Sequence, residues 1–546
     1  MTQRWRIKGC VLVPWADPLE GKTGQSWKQG AVMGSGIFRI LALIGLLSLV
    51  AFGQPAGSPG LIDREPRLTV DNFVFEGNHL ASEAELQGVV APFVGESLSL
   101  EELRQVAERV TEYHLEHGYK LARAYLPEQD FANGTVRILV HEGKIDRIEV
   151  AGAKYHSPEL IRSYFGETEG GDYVDGEVIR PLLLINELPD VKANVQMQPG
   201  SQEGTSTMVV TLKERNPFEV SLGYNNYGTP STGENRAGLT LAHNNLSGVG
   251  DRLAVNGTFG FPARSTAYLT AGYQRPLNTD GLSFGVSYSN SAYVLGGALE
   301  VLDVRGDADI YTVSLGQALC RALSHQSDVG LDVTHARVDT TILGGAFSRD
   351  EYTKARVFYQ GRWLNPENQT YLRAGFTQGF VEPSIIPSRV GVGQSFSKLN
   401  LDLLQMHRLG PQWRLALRAS GQLADSLVAA EQYSVGGPYT VRGYPQGELL
   451  GDSAYTLGGE LLWSVLRDDP DLVNLALFVD HGGAILSQPQ PGETQSRQLT
   501  GAGVGVRLRF NEDTQARLDL GFPLSPSTNS RGNSPVIYGG FSTRLW

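Results

Sequence analysis

From Asn216 to the C-terminus, apolar and polar residues alternate with a period of two, and helical periodicity is absent. In LSFGVSY, Leu282, Phe284, Val286 and Tyr288 fall on one face while Ser283, Gly285 and Ser287 fall on the other. WRLALRASGQL sets Trp413, Leu415, Leu417 and Ala419 against Arg414, Arg418, Ser420 and Gln422. GVGVRLRF and QARLDLGF turn Arg507, Arg509, Arg517 and Asp519 away from their apolar side. A period of two is the signature of strands with two unlike faces. In a soluble sheet the apolar face would be the core, and a soluble all-β domain is the competing reading. A membrane barrel instead shows the apolar face to lipid and keeps small and charged side chains inside, which suits the composition of the second face. Roughly 330 residues divided among about 16 strands gives about 20 per strand with its turn, a reasonable spacing for such a barrel.

Residues 68 to 142 follow a different pattern. RLTVDNFVFEG alternates, and Ser82 with Glu85 and Ser99 with Glu102 form S-x-x-E capping boxes that mark two helix starts. Leu103, Val106, Val110 and Tyr113 recur at helical spacing, Gly118 sits at the expected left-handed C-terminal position, and KLARAYLP and TVRILVHEG supply strands. Residues 143 to 216 repeat the plan, with KIDRIEVAG in place of VDNFVFEG and Gly152 standing 75 positions after Gly77. Ser157-Pro158 opens one helix, LLLINEL before Pro189 forms another, and VKANVQMQPG and TSTMVVTLKE close the unit. The expected fold class is therefore mixed: two small α+β domains, 68–142 and 143–216, followed by a transmembrane antiparallel β-barrel of about 16 strands over 217–546.

The 13 residues Ile40 to Phe52 are the long apolar run of the chain and fall short of the roughly 20 that a membrane-spanning helix needs. Arg39 before them and Ala51-Phe52-Gly53 after them fit a secretory signal. Residues 1–53 are read as that signal with an overlong lead, Met33 being an alternative start, and 54–67 as a Pro- and Gly-rich linker. Without the lead the formal charge of −12 becomes −16, which argues against a nucleic-acid partner. Cys320 is then the one cysteine left, so no disulfide framework is expected.

Candidate chemistry is sparse. The ten histidines are scattered, and neither an H-E-x-x-H nor a C-x-x-C pair occurs, so no metal site, cofactor or catalytic residue is expected. Gly501-Ala502-Gly503-Val504-Gly505 lies within a strand pattern with no helix after it and reads as small residues on a lumen face, not as a nucleotide loop.

One stretch stands apart. SVGGPYTVRGYPQGELLGD contains Val441-Arg442-Gly443-Tyr444, and downstream comes Phe478-Val479-Asp480-His481-Gly482, whose aspartate lies 38 residues after the arginine. These strings resemble the VRGY and F-x-D-x-G signatures of the transporter partner in two-partner secretion, the hemolysin activation and secretion family of the outer-membrane barrel-assembly superfamily. NNYGTPSTGENRAGL at 225–239 and NNLSGVGDRL at 244–253 resemble its opening barrel strands, and the tandem repeat resembles its two polypeptide-transport-associated (POTRA) domains. The resemblance implies a barrel in the outer membrane lipid, periplasmic POTRA domains, and a secreted exoprotein partner that is large, β-rich and unfolded in the periplasm. It also implies that the VRGY loop folds into the lumen and brings Arg442 to Asp480, with Tyr444 and Phe478 beside them and Gly482 in the wall motif. A guanidinium fork suits a carboxylate bidentately. Terminal Trp546 suits insertion by the barrel assembly machinery, although Arg544 stands where an apolar residue is commoner. The plug helix of some relatives is not expected in the 14 residues Gln54 to Arg67. Two alternatives to secretion are an assembly factor that inserts other barrels and, less suited to the repeats, a diffusion porin.

Overall fold

The computed structural model describes residues 66–202, 204–261, 266–527 and 534–546. The expected signal segment, its alternative start at Met33 and nearly all of the linker lie outside the described residues. The described chain falls into two compact units, one ending at Gly143 and the other running from Lys144 to Trp546.

The first unit contains β1 (Arg67–Thr69), β2 (Asn72–Glu76), α1 (Glu83–Val90), β3 (Ser97–Ser99), α2 (Leu100–Glu116), β4 (Arg123–Tyr125) and β5 (Thr135–His141). Its sheet has the order β2-β5-β4, with β2 parallel and β4 antiparallel to β5. Both capping boxes form, the Ser82 and Ser99 hydroxyls accepting the Glu85 and Glu102 amides. α2 turns Leu103, Val106 and Val110 onto Phe73, Leu86 and Ile138 to make the core. Two sequence expectations are trimmed here. RLTVDNFVFEG becomes two strands, because Val70 pairs with Glu96 and Gly95 while Asp71 turns to Gly134. KLARAYLP keeps only three strand residues, since Ala122 closes a turn onto Tyr119 and Pro127 lacks a donor.

The second unit starts with β6 (Lys144–Ala151), α3 (Pro158–Ser163), α4 (Asp175–Glu187), β7 (Val191–Pro199) and β8 (Thr205–Glu214), in sheet order β6-β8-β7. The repeat has a physical signature. Gly77 (φ +78°) and Gly152 (φ +77°) each follow the first long strand of their repeat, and a Cβ at either would strike a carbonyl of the last strand, Val140 or Leu212.

The barrel begins with β9 (Phe218–Asn225), β10 (Asn235–Asn244), β11 (Arg252–Phe261), β12 (Thr266–Pro276), β13 (Leu282–Val294) and β14 (Arg305–Arg321). It continues with β15 (His325–Ile342), β16 (Gly345–Leu364), β17 (Asn368–Val381), β18 (Ser395–Arg408) and β19 (Trp413–Ala424). A long loop carrying the short pair β20 (Tyr433–Val435) and β21 (Leu449–Gly451) precedes β22 (Ser453–Ser464). β23 (Val473–Ile485), β24 (Ser496–Arg509), β25 (Thr514–Pro523) and β26 (Val536–Arg544) complete it. Every neighbour is antiparallel, and β26 pairs with β9 from Gly540↔Asn225 to Arg544↔Ser221, closing sixteen strands into one barrel.

The alternation now has a spatial meaning. Along β23, Leu477 and Val479 are 58% and 57% exposed, whereas Phe478 and Asp480 between and beside them are 3% and 0% exposed. Leu417, Leu457, Val504, Leu518 and Ile537 on other strands are likewise exposed. Such a continuous apolar outer wall is costly in water and is what hydrocarbon requires of a barrel. Trp413 and Trp463 stack at the rim beside the second repeat, the position of an interfacial aromatic girdle.

The second repeat is seated on that rim. Leu188 fills the space above Gly250, and Arg180 donates to the Asp280 carbonyl at 2.9 Å. Glu187 at the end of α4 pairs with Arg321 of β14 at 2.6 Å. Just after α4, Asp190 accepts two bonds from Arg544 of β26, at 2.7 and 2.9 Å.

Candidate functional site in the barrel lumen

The loop between β19 and β22 turns inward, and its centre is Arg442, which has no exposed surface. Nε donates to Asp480 Oδ2 at 2.6 Å and one Nη to Asp480 Oδ1 at 2.9 Å, a bidentate fork. The Arg442 amide adds a third bond to Asp480 at 3.2 Å. The other Nη donates to Glu460 of β22, and the guanidinium plane lies 3.5 Å from the centroid of the Phe478 ring.

Other charges gather around this pair. Arg507 bridges Glu460 (2.9 Å) and Asp519 (2.8 Å), Arg517 pairs with Asp519 at 2.5 Å, and Arg418 approaches Asp480 at 3.5 Å. Four guanidiniums thus face three carboxylates from β19, β22, β23, β24, β25 and the loop. Each buried charge has a partner of opposite sign, the condition under which burial is tolerated.

The remaining motif residues position the loop. Gly443 has φ +101°, and a Cβ there would meet the Phe522 carbonyl carbon at 2.9 Å and its oxygen at 3.0 Å. Its amide donates to the Tyr538 hydroxyl at 3.1 Å. The Tyr444 hydroxyl lies 2.8 Å from the Thr500 and Ser525 carbonyls and accepts the Ser525 amide at 2.8 Å. Val441 joins Val435, Tyr444 and Leu449 in an apolar cluster against Ala454, Ala484 and Leu499 of the wall. Gly482 makes room for this cluster, since a Cβ on it would sit 3.0 Å from Val435.

The glycines of GAGVG complete the seat. A Cβ on Gly501 would overlap the Arg442 carbonyl, one on Gly503 the Phe478 ring, and one on Gly505 the Asp519 carboxylate. They are lumen-facing clearances for the loop and its partners, as the small-residue reading of that strand expects.

The structure therefore brings Val441, Arg442, Gly443, Tyr444, Phe478, Asp480 and Gly482 into one site. Sequence reasoning did not find Glu460 or Arg418 as members of this site, and it named no partner for Asp519. Glu460 and Arg418 are polar positions on alternating strands like many others, and only barrel closure aims them at Arg442.

At the rim, burial alone would raise the Asp190 carboxyl, but the Arg544 fork and the Asn244 amide outweigh it and hold the group below the usual carboxylate range. Among the described residues no cluster of His, Cys, Asp or Glu is arranged to hold a metal.

A closed sixteen-strand barrel with an apolar outer wall, an inward-folded arginine loop and an α+β repeat seated at one rim defines an outer-membrane transporter of the barrel-assembly type. The sequence model of the family described as haemolysin secretion/activation protein ShlB/FhaC/HecB matches residues 204–508, and that of the ShlB-type POTRA domain matches 68–143, so the chain belongs to the ShlB/FhaC/HecB family of two-partner secretion transporters. The outer membrane transporter CdiB of Dickeya dadantii is 24% identical over 478 residues, covering 84% of this chain and 83% of the relative. The heme/hemopexin transporter protein HuxB of Haemophilus influenzae is 22% identical over 470 residues, covering 82% and 81%. The solved structure of CdiB from Escherichia coli superposes with a TM-score of 0.73 at 22% identity, covering 90% of this chain and 93% of that one. The barrel lies in the outer membrane and the POTRA domains lie in the periplasm, which makes the rim beside the second repeat the periplasmic one.

Proposed function

We propose that this transporter takes one large, β-rich exoprotein unfolded from the periplasm and passes it through the barrel lumen, without catalysis. The observation that supports capture is the open edge of β7 in the second repeat. Both the amide and the carbonyl of Ala193 bond the Asn186 side chain, at 2.9 and 3.0 Å, so Ala193 points away from β8. In an antiparallel pair this direction alternates, so Val195 and Met197 point the same way, past the last strand of the sheet. An extended peptide can add there through main-chain bonds that depend little on its sequence. The first repeat offers a comparable groove of about 630 Å³ between α2 and β4, although Thr111 already bonds Ala124 within it.

The Arg442 site has a positioning role in this reading. It fixes the loop against one wall, and a hydrated chain passes along the polar faces of the lumen strands. No nucleotide-binding motif is present in the sequence, and folding of the exoprotein outside the cell supplies the pull. Insertion of the transporter itself is assigned to the barrel assembly machinery. Beyond β26 the Trp546 carbonyl accepts the Val220 amide of β9 at 3.2 Å.

Deletion of the gene tests the proposal. One exoprotein should build up in the periplasm while other outer-membrane barrels keep their levels. A general fall in barrels would instead support an assembly factor.

A further inference from the structure

The inward loop is held at a second place that none of the recognised motifs contains. Its first limb, residues 425–432, lies against β16 and β18, on a different part of the wall from the Arg442 site. Leu427 and Val428 are buried there among Ala336, Tyr352 and Phe396. Glu431 caps this cluster with its side chain almost fully buried. One of its oxygens accepts the Tyr352 hydroxyl at 2.8 Å and also meets the Lys354 ammonium, while the other pairs with Lys398 at 2.7 Å. The limb has further ties: the Leu427 amide and the Gln432 side chain donate to Asp452 at 3.1 and 3.0 Å, the Gln422 side chain donates to the Glu431 carbonyl at 3.2 Å, the Asp425 amide donates to the Ser397 carbonyl at 3.3 Å, and the Ala429 amide donates to the Ser388 hydroxyl of the neighbouring extracellular loop at 3.0 Å.

The two attachments are unlike. Arg442 is gripped by a rigid fork, an aromatic face and glycine-lined close contacts. Glu431 meets two ammonium groups, which are point charges on flexible stems and remain 23% and 12% exposed, so water can take them over when the carboxylate leaves. The hairpin of β20 and β21 carries the Arg442 attachment, whereas the limb carries Glu431.

We infer that Glu431, Lys354 and Lys398 form a releasable latch: the limb 425–432 is the moving half of the loop, the hairpin is the fixed half, and undocking the limb widens the extracellular half of the lumen. Glu431 acts as a positioning residue. Without its charge, two lysines face one another across an empty seat, which drives the limb off the wall. If all three charges are removed together, Leu427 and Val428 still fit their pocket, the side-chain carbonyl introduced by Glu431→Gln can still accept the Tyr352 hydroxyl and no charge is left unpaired, so the limb should dock again.

The test uses the full-length protein in lipid bilayers with a spin label at Ala430→Cys, comparing Glu431→Gln with Glu431→Gln/Lys354→Met/Lys398→Met. Heat-modifiability confirms that each barrel is folded. Glu431→Gln should make the label mobile and raise the open probability about tenfold or more, the ratio given by about 1.4 kcal/mol of lost anchoring. The triple variant should return both readouts toward wild type. A label in Glu431→Gln as immobile as wild type with unchanged current overturns the latch, as does a triple variant that stays open. A second variant needs no loss of charge: a disulfide between Ser388→Cys and Ala429→Cys should block secretion until reduced, and normal secretion through the oxidised form overturns the inference. This arm alone rests on the proposed passage of cargo through the lumen, whereas the label and current arms do not, so failure of that reading and failure of the latch are distinguishable.

Discussion

Arg442→Ala is the perturbation whose size the structure bounds best. It removes the 2.6 and 2.9 Å bonds to Asp480, the bond to Glu460 and the stacking on Phe478. Glu460 keeps Arg507, but Asp480, fully buried, is left with Arg418 at 3.5 Å and one backbone amide at 3.2 Å. Stripping one partner from a buried pair costs about 3–5 kcal/mol, chiefly because the other charge stays behind. At 1.4 kcal/mol per factor of ten, that lowers the ratio of docked to undocked loop roughly a hundred- to a thousandfold or more. The strand ladder does not use Arg442, so the barrel should insert and remain heat-modifiable while secretion per folded transporter falls strongly. Arg442→Lys should recover only part, because an ammonium cannot form the fork. Arg442→Ala/Asp480→Ala should lose less than the two single effects added together, since no carboxylate is then stranded. The assay is secreted exoprotein normalised to heat-modifiable transporter. Secretion by Arg442→Ala at the wild-type ratio would falsify the positioning role.

Two other outcomes follow from the geometry. Gly501→Ala adds a Cβ where the Arg442 carbonyl sits, so it should reproduce much of the secretion defect without removing any charge, and Ala502→Gly on the opposite face should not; equal effects of the two would contradict the seat. In the second POTRA domain the Ser201 amide, at 2.6 Å, holds the Asp146 carboxyl down to about 2, against a usual value near 3.9. A depressed value means that the ionised group stabilises the fold above about pH 4 and that this contribution is lost as pH falls toward 2. Asp146→Asn in a fragment of residues 66–216 should therefore lower the urea midpoint at pH 6, with the gap to wild type closing by about pH 2.5. A gap independent of pH would exclude this role for the carboxylate.

The barrel was legible because lipid outside and water inside impose opposite demands on successive residues, and LALFVDHGG records both within a few positions. Asp480 faces the lumen for that reason alone. The repeat was legible through local signals, the capping boxes at Ser82 and Ser99 and the paired glycines 77 and 152. What stayed hidden depends on closure. Arg442 meets Glu460 and Asp480 across 18 and 38 residues, distances set by where β22 and β23 pass the loop. Glu431 finds Lys354 and Lys398 only because the limb doubles back over β18. Arg544 looked out of place next to the terminal tryptophan. Its partner, Asp190, lies 354 residues earlier in the turn after α4, and the pair ties the closing strand to the second POTRA domain. No periodicity reports on a contact between a barrel rim and a separate domain.

The most direct test of passage through the lumen is a photocrosslink from two adjacent residues of β11. Asn256 faces inward, accepting the Thr240 hydroxyl at 2.8 Å, whereas Val255 is exposed on the apolar wall. With an exoprotein stalled in transit by a folded outer segment, a crosslinker at Asn256 should capture it and one at Val255 should not. Capture at Val255, or at neither position while cargo is demonstrably stalled, would contradict transport through this barrel.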